Sequence, residues 1–176
     1  MTAEMIAEDV LEAIAHERPE CERQRHAENL ADLVTNMARF GNRREDPVRM
    51  VQSFLGDRWS SLVMHLLSGG MLRFTELRRL IAAVSAEKEI SPRMLTLKLR
   101  LMERDGLVVR HVTDGPQHRV EYRLTALGAG AYEQFSSMVR WSQDATQAIR
   151  SARRDYDAVH PDAAALMRGV CDGTSD

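Results

Sequence analysis

The chain has 176 residues, 44% of them hydrophobic and 28% charged, which allows one compact domain with appendages but not two independent cores. No apolar run approaches the roughly 18 residues of a membrane span, so no membrane association is expected. The start, MTAEMIAEDVLEAIAHERPE, carries acids where a secretory leader needs a basic patch and an unbroken apolar stretch, and a cytoplasmic location is the expectation.

The formal net charge of -2 hides an uneven distribution. Residues 73–123 hold 11 Arg or Lys against 7 Asp or Glu, residues 1–72 hold 8 against 12, and the remainder 5 against 7. A basic middle is the electrostatic precondition for holding a phosphate backbone, although so modest an excess also suits a solvated face. Cys21 and Cys171 stand at opposite ends and make neither a disulfide framework nor a thiolate metal cluster. The six histidines lack metal-ligand spacing, and no nucleophile–base pair, glycine-rich phosphate loop or carboxylate pair stands out. Neither an enzyme, nor a cofactor, nor a metal is expected.

Taken in chain order, a first helix is predicted from Thr2 to about Glu17, with Ile6, Val10 and Ile14 on one face and Pro19 interrupting it. A second runs from about Glu20 to Phe40, where Leu30, Leu33, Val34 and Met37 follow the spacing of a single buried stripe. GNRREDP is a polar turn, after which VRMVQSFLGDRWSSLVMHLLSGG reads as one helix up to Gly69 and Gly70. Trp59, among Leu55, Leu62 and Val63, reads as a core aromatic. RFTELRRLIAAV makes a short helix with Thr75 as its cap and Phe74, Leu77, Leu80 and Ile81 on one face.

The next helix is the best marked. Ser91 precedes Pro92 as an N-cap precedes proline at the first helical position; Leu95, Leu99 and Met102 share a face; Asp105-Gly106 ends it. Leu97 and Leu101 fall off that buried stripe, beside Arg93, Thr96, Lys98 and Arg100. The period then changes. LVVRHV and RVEYRLT flank the turn-forming TDGPQH, which predicts a β-hairpin with its tip near Gly115 to His118. Three helices followed by a two-stranded ribbon describe a winged helix-turn-helix, whose third helix enters the DNA major groove. A long final helix, capped by Thr125 and reaching about Tyr156, carries a stripe of Leu127, Ala131, Phe135, Met138, Val139, Ser142, Ala145 and Ile149. At about 45 Å for roughly 30 residues it exceeds what one small domain covers, so its outer part is expected on the N-terminal helices and a second subunit.

Several linked segments resemble the HxlR-type transcriptional regulators over about residues 46–142: Leu55-Gly56 with Trp59, Phe74 with Glu76-Leu77, Ile90-Ser91-Pro92 with Met94-Leu95-Thr96, and Glu121-Tyr122 with Leu124-Thr125 and Leu127-Gly128. The resemblance implies a small dimeric DNA-binding protein that represses or activates nearby genes. Many redox-responsive members carry a cysteine directly before the Pro-Val of the first helix; Asp46 takes that place here, which excludes a thiol switch there. Leu97 stands where the family usually has a polar residue, often Gln, and Leu101 where it has an acidic or polar one.

The expected fold is therefore mainly α, of the α+β kind. A winged helix-turn-helix domain over residues 46–125 lies between an N-terminal helical extension (1–40) and a C-terminal dimerisation helix (126–156), with a tail over 157–176. The expected partners are double-stranded DNA, a second copy of the chain and an unidentified small-molecule effector. DNA would be contacted by Ser91, Arg93, Met94, Thr96, Leu97 and Lys98 in the helix and by Arg110, His118 and Arg119 in the wing, with Arg93 on a guanine edge, Thr96 and Leu97 at a thymine methyl, and Lys98 on phosphate. The dimer would form through Leu30, Leu33, Met37, Phe135, Met138, Trp141 and Ile149 and set two reading helices about one DNA turn apart on an inverted repeat. The rival readings are a winged module that docks a protein on Leu97 and Leu101, and an effector-binding sensor, either with weak or no specific DNA binding.

Overall fold

The computed structural model describes residues 19–43, 45–85, 89–113 and 119–163. The helix expected before Pro19, the wing tip with His118, and the tail from residue 164 with Cys171 lie outside them. In order, the described elements are α1 (Glu20–Phe40), α2 (Pro47–Gly56), α3 (Arg58–Ser68), β1 (Leu72–Arg73), α4 (Phe74–Val84), α5 (Pro92–Arg104), β2 (Val108–Thr113), β3 (Arg119–Leu124), α6 (Ala126–Asp144) and α7 (Thr146–Val159). The chain divides into two compact units, Met1–Ala131 and Tyr132–Asp176.

In the first unit, α1 keeps its anticipated bounds but buries none of its residues. Leu30 and Met37 are half-buried, and Leu33 is exposed. Where one helix was expected between Val48 and Ser68, the chain makes two. Asp57 leaves helical geometry at φ -90°, ψ 120°, and its Oδ2 accepts from the Ser60 amide at 2.7 Å, so it caps a new helix and ends the old one. Trp59 is half-buried rather than in the core. The start of α4 also differs. Thr75 lies inside the helix, and the terminus is closed by Glu76 Oε2, which accepts from the Arg73 amide at 2.7 Å. Leu80, expected on the buried face, is exposed; Leu77 and Ile81 are buried.

Helix α5 forms as its sequence anticipates, with Ser91 Oγ accepting from the Met94 amide at 3.1 Å and Pro92 at the first position. Leu95, Leu99 and Met102 are buried and, with Val63, Met64 and Leu67 of α3, Leu77 and Ile81 of α4, and Ile90, Leu107 and Val108, form the core. At its end the Gly106 amide bonds Glu103 O at 3.1 Å and the Leu107 amide bonds Met102 O at 2.9 Å, the paired bonds of a Schellman turn. That turn needs a left-handed residue, supplied by Gly106 at φ 72°.

The ribbon is antiparallel, running from Val108 opposite Leu124 to Thr113 opposite Arg119. A third strand escaped the sequence reading: β1, only two residues long, pairs with β3 to give the order β1-β3-β2. Thr125 then joins sheet to helix. Its amide bonds Leu107 O at 3.0 Å, its hydroxyl donates to Gly106 O at 2.6 Å, and the same oxygen accepts from the Gly128 amide at 3.0 Å. The first turn of α6 consequently lies so close to the α5–β2 turn that a Cβ on Gly128 would overlap the Leu107 carbonyl oxygen.

The second unit holds the rest of α6 and α7, where one continuous helix was expected. The break is at Ala145, with ψ -4°. Ser142 Oγ donates to Met138 O and Thr146 Oγ1 to Ser142 O, both at 2.9 Å, and such hydroxyl bonds onto the preceding turn compete with the backbone ladder and bend helices. Phe135 and Ile149 are half-buried, while Met138 and Trp141 are exposed, Trp141 at 65%. Among the described residues, no helix is long and apolar enough to cross a membrane.

Candidate nucleic-acid interface

Helix α5 is two-faced because its apolar residues recur at helical spacing on one side only. Opposite the buried Leu95, Leu99 and Met102 stand Arg93, Leu97, Arg100 and Arg104, all exposed, at intervals of four, three and four residues. Ser91 and Met94 are exposed at the same helix's start, and Thr96 is half-buried on the flank with its hydroxyl donating to Pro92 O at 2.8 Å. The outer face thus carries three guanidinium groups with one leucine, 49% exposed, between them. Arg100 and Arg104 were absent from the expected contact set, although their spacing from Arg93 is visible in the sequence.

Lys98 departs from its expected role. Its Nζ donates to Asp57 Oδ1 at 2.9 Å, and the two side chains are only 18% and 27% exposed. The ammonium is committed to the capping residue of α3 instead of projecting from the helix's exposed face. Asp57 serves two donors with its two oxygens, Oδ2 for the Ser60 amide and Oδ1 for Lys98. Burial would push its carboxyl up, but the bonds from Ser60 and Lys98, with the Lys98 charge, outweigh that and hold it below the usual carboxylate range. The Gly56-Asp57 pair inside an otherwise helical run was the available signal for this cap.

The ribbon separates residues that the sequence reading grouped. Strand alternation puts Arg110, opposite Tyr122, on the face of the buried Val108, and puts Arg119, opposite Thr113, on the other face with Arg123. Arg110 and Arg119 are both exposed but cannot serve one surface together. Midway along β3, Arg73 Nε meets Glu121 Oε1 at 3.4 Å, tying β1 to β3.

Between α1 and α2 lies a cleft of about 410 Å³, with Leu33, Met37, Phe40 and Val48 supplying its apolar wall and Asn36, Asn42, Arg49 and Gln52 its polar groups. Arg49 Nη1 donates to Asn42 Oδ1 at 3.3 Å.

Residues 54–150 match the model of the HxlR-like helix-turn-helix family. The chain is similar to the uncharacterized HTH-type transcriptional regulator YdeP of Bacillus subtilis, with 32% identity over 64% of this chain and 86% of that protein. It is also similar to the HTH-type regulator YodB of the same organism, with 31% identity over 58% of this chain and 87% of that one. Among solved structures, the redox regulator HypR in its reduced form superposes with a TM-score of 0.51 at 31% identity, covering 60% of this chain and 98% of HypR.

Proposed function

Since the chain belongs to the HxlR-like helix-turn-helix family and is a DNA-binding transcriptional regulator, we propose that it acts as a homodimer that reads an inverted-repeat operator with the outer face of α5. The carrying observation is the division of that helix, with Leu95, Leu99 and Met102 fully buried and Arg93, Leu97, Arg100 and Arg104 turned out. Arg93, nearest the helix start, addresses a guanine edge, and Leu97 with Thr96 meets a thymine methyl, the contact an apolar side chain makes in the major groove. Ser91 and Met94 flank the entry, and Arg100 and Arg104 hold phosphate. Of the exposed wing arginines, Arg110 and Arg119, the ribbon's two faces allow one to lie along the backbone at a time.

Dimerisation rests on apolar residues that the single chain leaves uncovered: Leu33 on α1, and Met138 and Trp141 on α6. Each unit adds half-buried residues of its own to this surface, Leu30 and Met37 on α1 and Phe135 and Ile149 on α6 and α7. Selection of bound duplexes from a random pool tests both parts. The expected result is an inverted repeat with half-site centres about 10 base pairs, or a multiple, apart. Absence of enrichment removes the specific-reader role, and a lone half-site removes the symmetric dimer.

The α1–α2 cleft favours a second role, as an effector site for a small apolar carboxylate, since its volume suits a small ligand and Arg49 supplies the cation. Octanoate should then raise Tm in a dose-dependent way where neutral octanamide does not, and equal responses refute it.

A further inference from the structure

The three arginines of the α5 outer face are set out toward solvent, whereas the fourth cation of the same helix, Lys98, is turned back onto Asp57. We infer that Asp57 is a positioning residue that sets DNA specificity: its carboxylate, shared between the Ser60 amide and the Lys98 ammonium, holds α5 on the start of α3 and withholds the Lys98 charge from the phosphate backbone. This rests on the DNA-reading role of α5 proposed above.

Three observations support it. The carboxylate is held independently of Lys98, because its other oxygen is the cap of α3, bonded to the Ser60 amide at 2.7 Å. An anchor already committed to one helix therefore grips the middle of another, which fixes the roll of α5 and with it the direction of Arg93 and Leu97. The pair is also largely shielded, at 18% and 27% exposure, so salt screens it less than it screens a surface pair. Finally, Lys98 lies on the flank of the helix beside the buried Leu95, Leu99 and Met102, away from the outer arginines. A free ammonium there would add sequence-blind affinity, since phosphate contacts carry no base information.

Asparagine caps a helix as well as aspartate does but offers no charge to a lysine, so Asp57→Asn separates the two duties. The wild type, Asp57→Asn, Lys98→Gln and Lys98→Arg are compared on the duplex that the wild type selects and on a scrambled duplex, across a salt series. Asp57→Asn should bind the scrambled duplex several-fold more tightly, with the slope of log affinity against log salt steeper by about 0.9 for the one cation released, and its specificity ratio should fall about tenfold. Lys98→Gln should lose affinity for the selected duplex while its salt slope and scrambled binding stay at the wild-type values. Lys98→Arg, which can keep the pair, should retain the wild-type ratio. A salt slope shallower by about 0.9 on both duplexes in Lys98→Gln would make Lys98 a phosphate ligand and overturn the inference, as would an unchanged ratio in Asp57→Asn. A wild type that prefers no duplex overturns the operator reading and this inference with it; a selective wild type with unresponsive variants overturns this inference alone.

Discussion

Replacing Gly128 by alanine sets two physical effects against each other. Gly128 is buried inside α6, and on helix propensity alone alanine should stabilise by about 1 kcal/mol. The structure reverses the sign. The new methyl would overlap Leu107 O and stand 2.8 Å from the Leu107 carbonyl carbon, which is backbone held in the turn after α5 and cannot swing aside as a side chain would. Overpacking of this kind costs about 1–3 kcal/mol. Relief by retreat of α6 would stretch the bonds from Gly128 to Thr125 Oγ1 and from the Thr125 amide to Leu107 O, of which the cap alone is worth about 1 kcal/mol. The balance is a loss of about 2 kcal/mol, or a Tm lower by roughly 4–8 °C. Thermal unfolding followed by circular dichroism measures it, with Gly130→Ala as the control, because nothing lies near a Cβ there. Equal or higher stability in Gly128→Ala would refute the close approach of α6 to the α5–β2 turn.

Three further outcomes follow from particular residues. Ser91→Ala should cost about 1 kcal/mol through the lost bond to the Met94 amide, whereas Ser91→Asp should keep that stability yet weaken duplex binding by placing an anion at the entry of the reading helix; denaturant unfolding and gel shift separate the two. Arg93→Ala should lower affinity for the selected duplex by about 1–3 kcal/mol and relax one base position, with little change on random duplex, as a repeated selection would report. The Asp57 carboxyl is held below its ordinary value when folded, so its stabilising share is complete above the unfolded value and is lost as pH falls through the folded one. The Tm gap between the wild type and Asp57→Asn should accordingly be steady at neutral pH and close as pH falls below the ordinary carboxylate range; a gap that persists in strong acid would dissociate that stability from the carboxylate's charge.

Burial was legible in the sequence because it leaves a periodic trace. Leu95, Leu99 and Met102 stand at one helical spacing and are all buried, and Ser91-Pro92 and Gly106 mark the ends where the helix starts and stops. The ribbon was legible for a different reason, the turn-forming TDGPQH between two short β-prone segments, and it pairs with Val108 opposite Leu124 at its base. What the pattern passed over were local competitions between side chain and backbone. Asp57 outbids helix continuation by offering Ser60 a carboxylate, and Ser142 and Thr146 bond the preceding turn around the break at Ala145; in both places the apolar period runs on undisturbed. The two-residue β1 leaves no period at all, because it is defined by its partner on β3.

Charge was harder to read than apolarity, for a reason that bears on the reading helix itself. A cation's place on a helix can be counted from the sequence, but its partner lies on another element and has no fixed spacing from it. Arg93, Arg100 and Arg104 share an exposed face that counting could reach, whereas Lys98 meets an aspartate 41 positions earlier in the chain. The basic excess of residues 73–123 therefore overstates the charge available to DNA, since Lys98 is paired with Asp57 from outside that stretch; Arg73 is engaged as well, by Glu121, but that pair already cancels within the count. With those cations engaged, the DNA contact proposed for the outer face of α5 depends more on the direction of a few guanidinium groups and on Leu97 than on bulk attraction. An interface of that kind gains selectivity as its sequence-blind affinity falls.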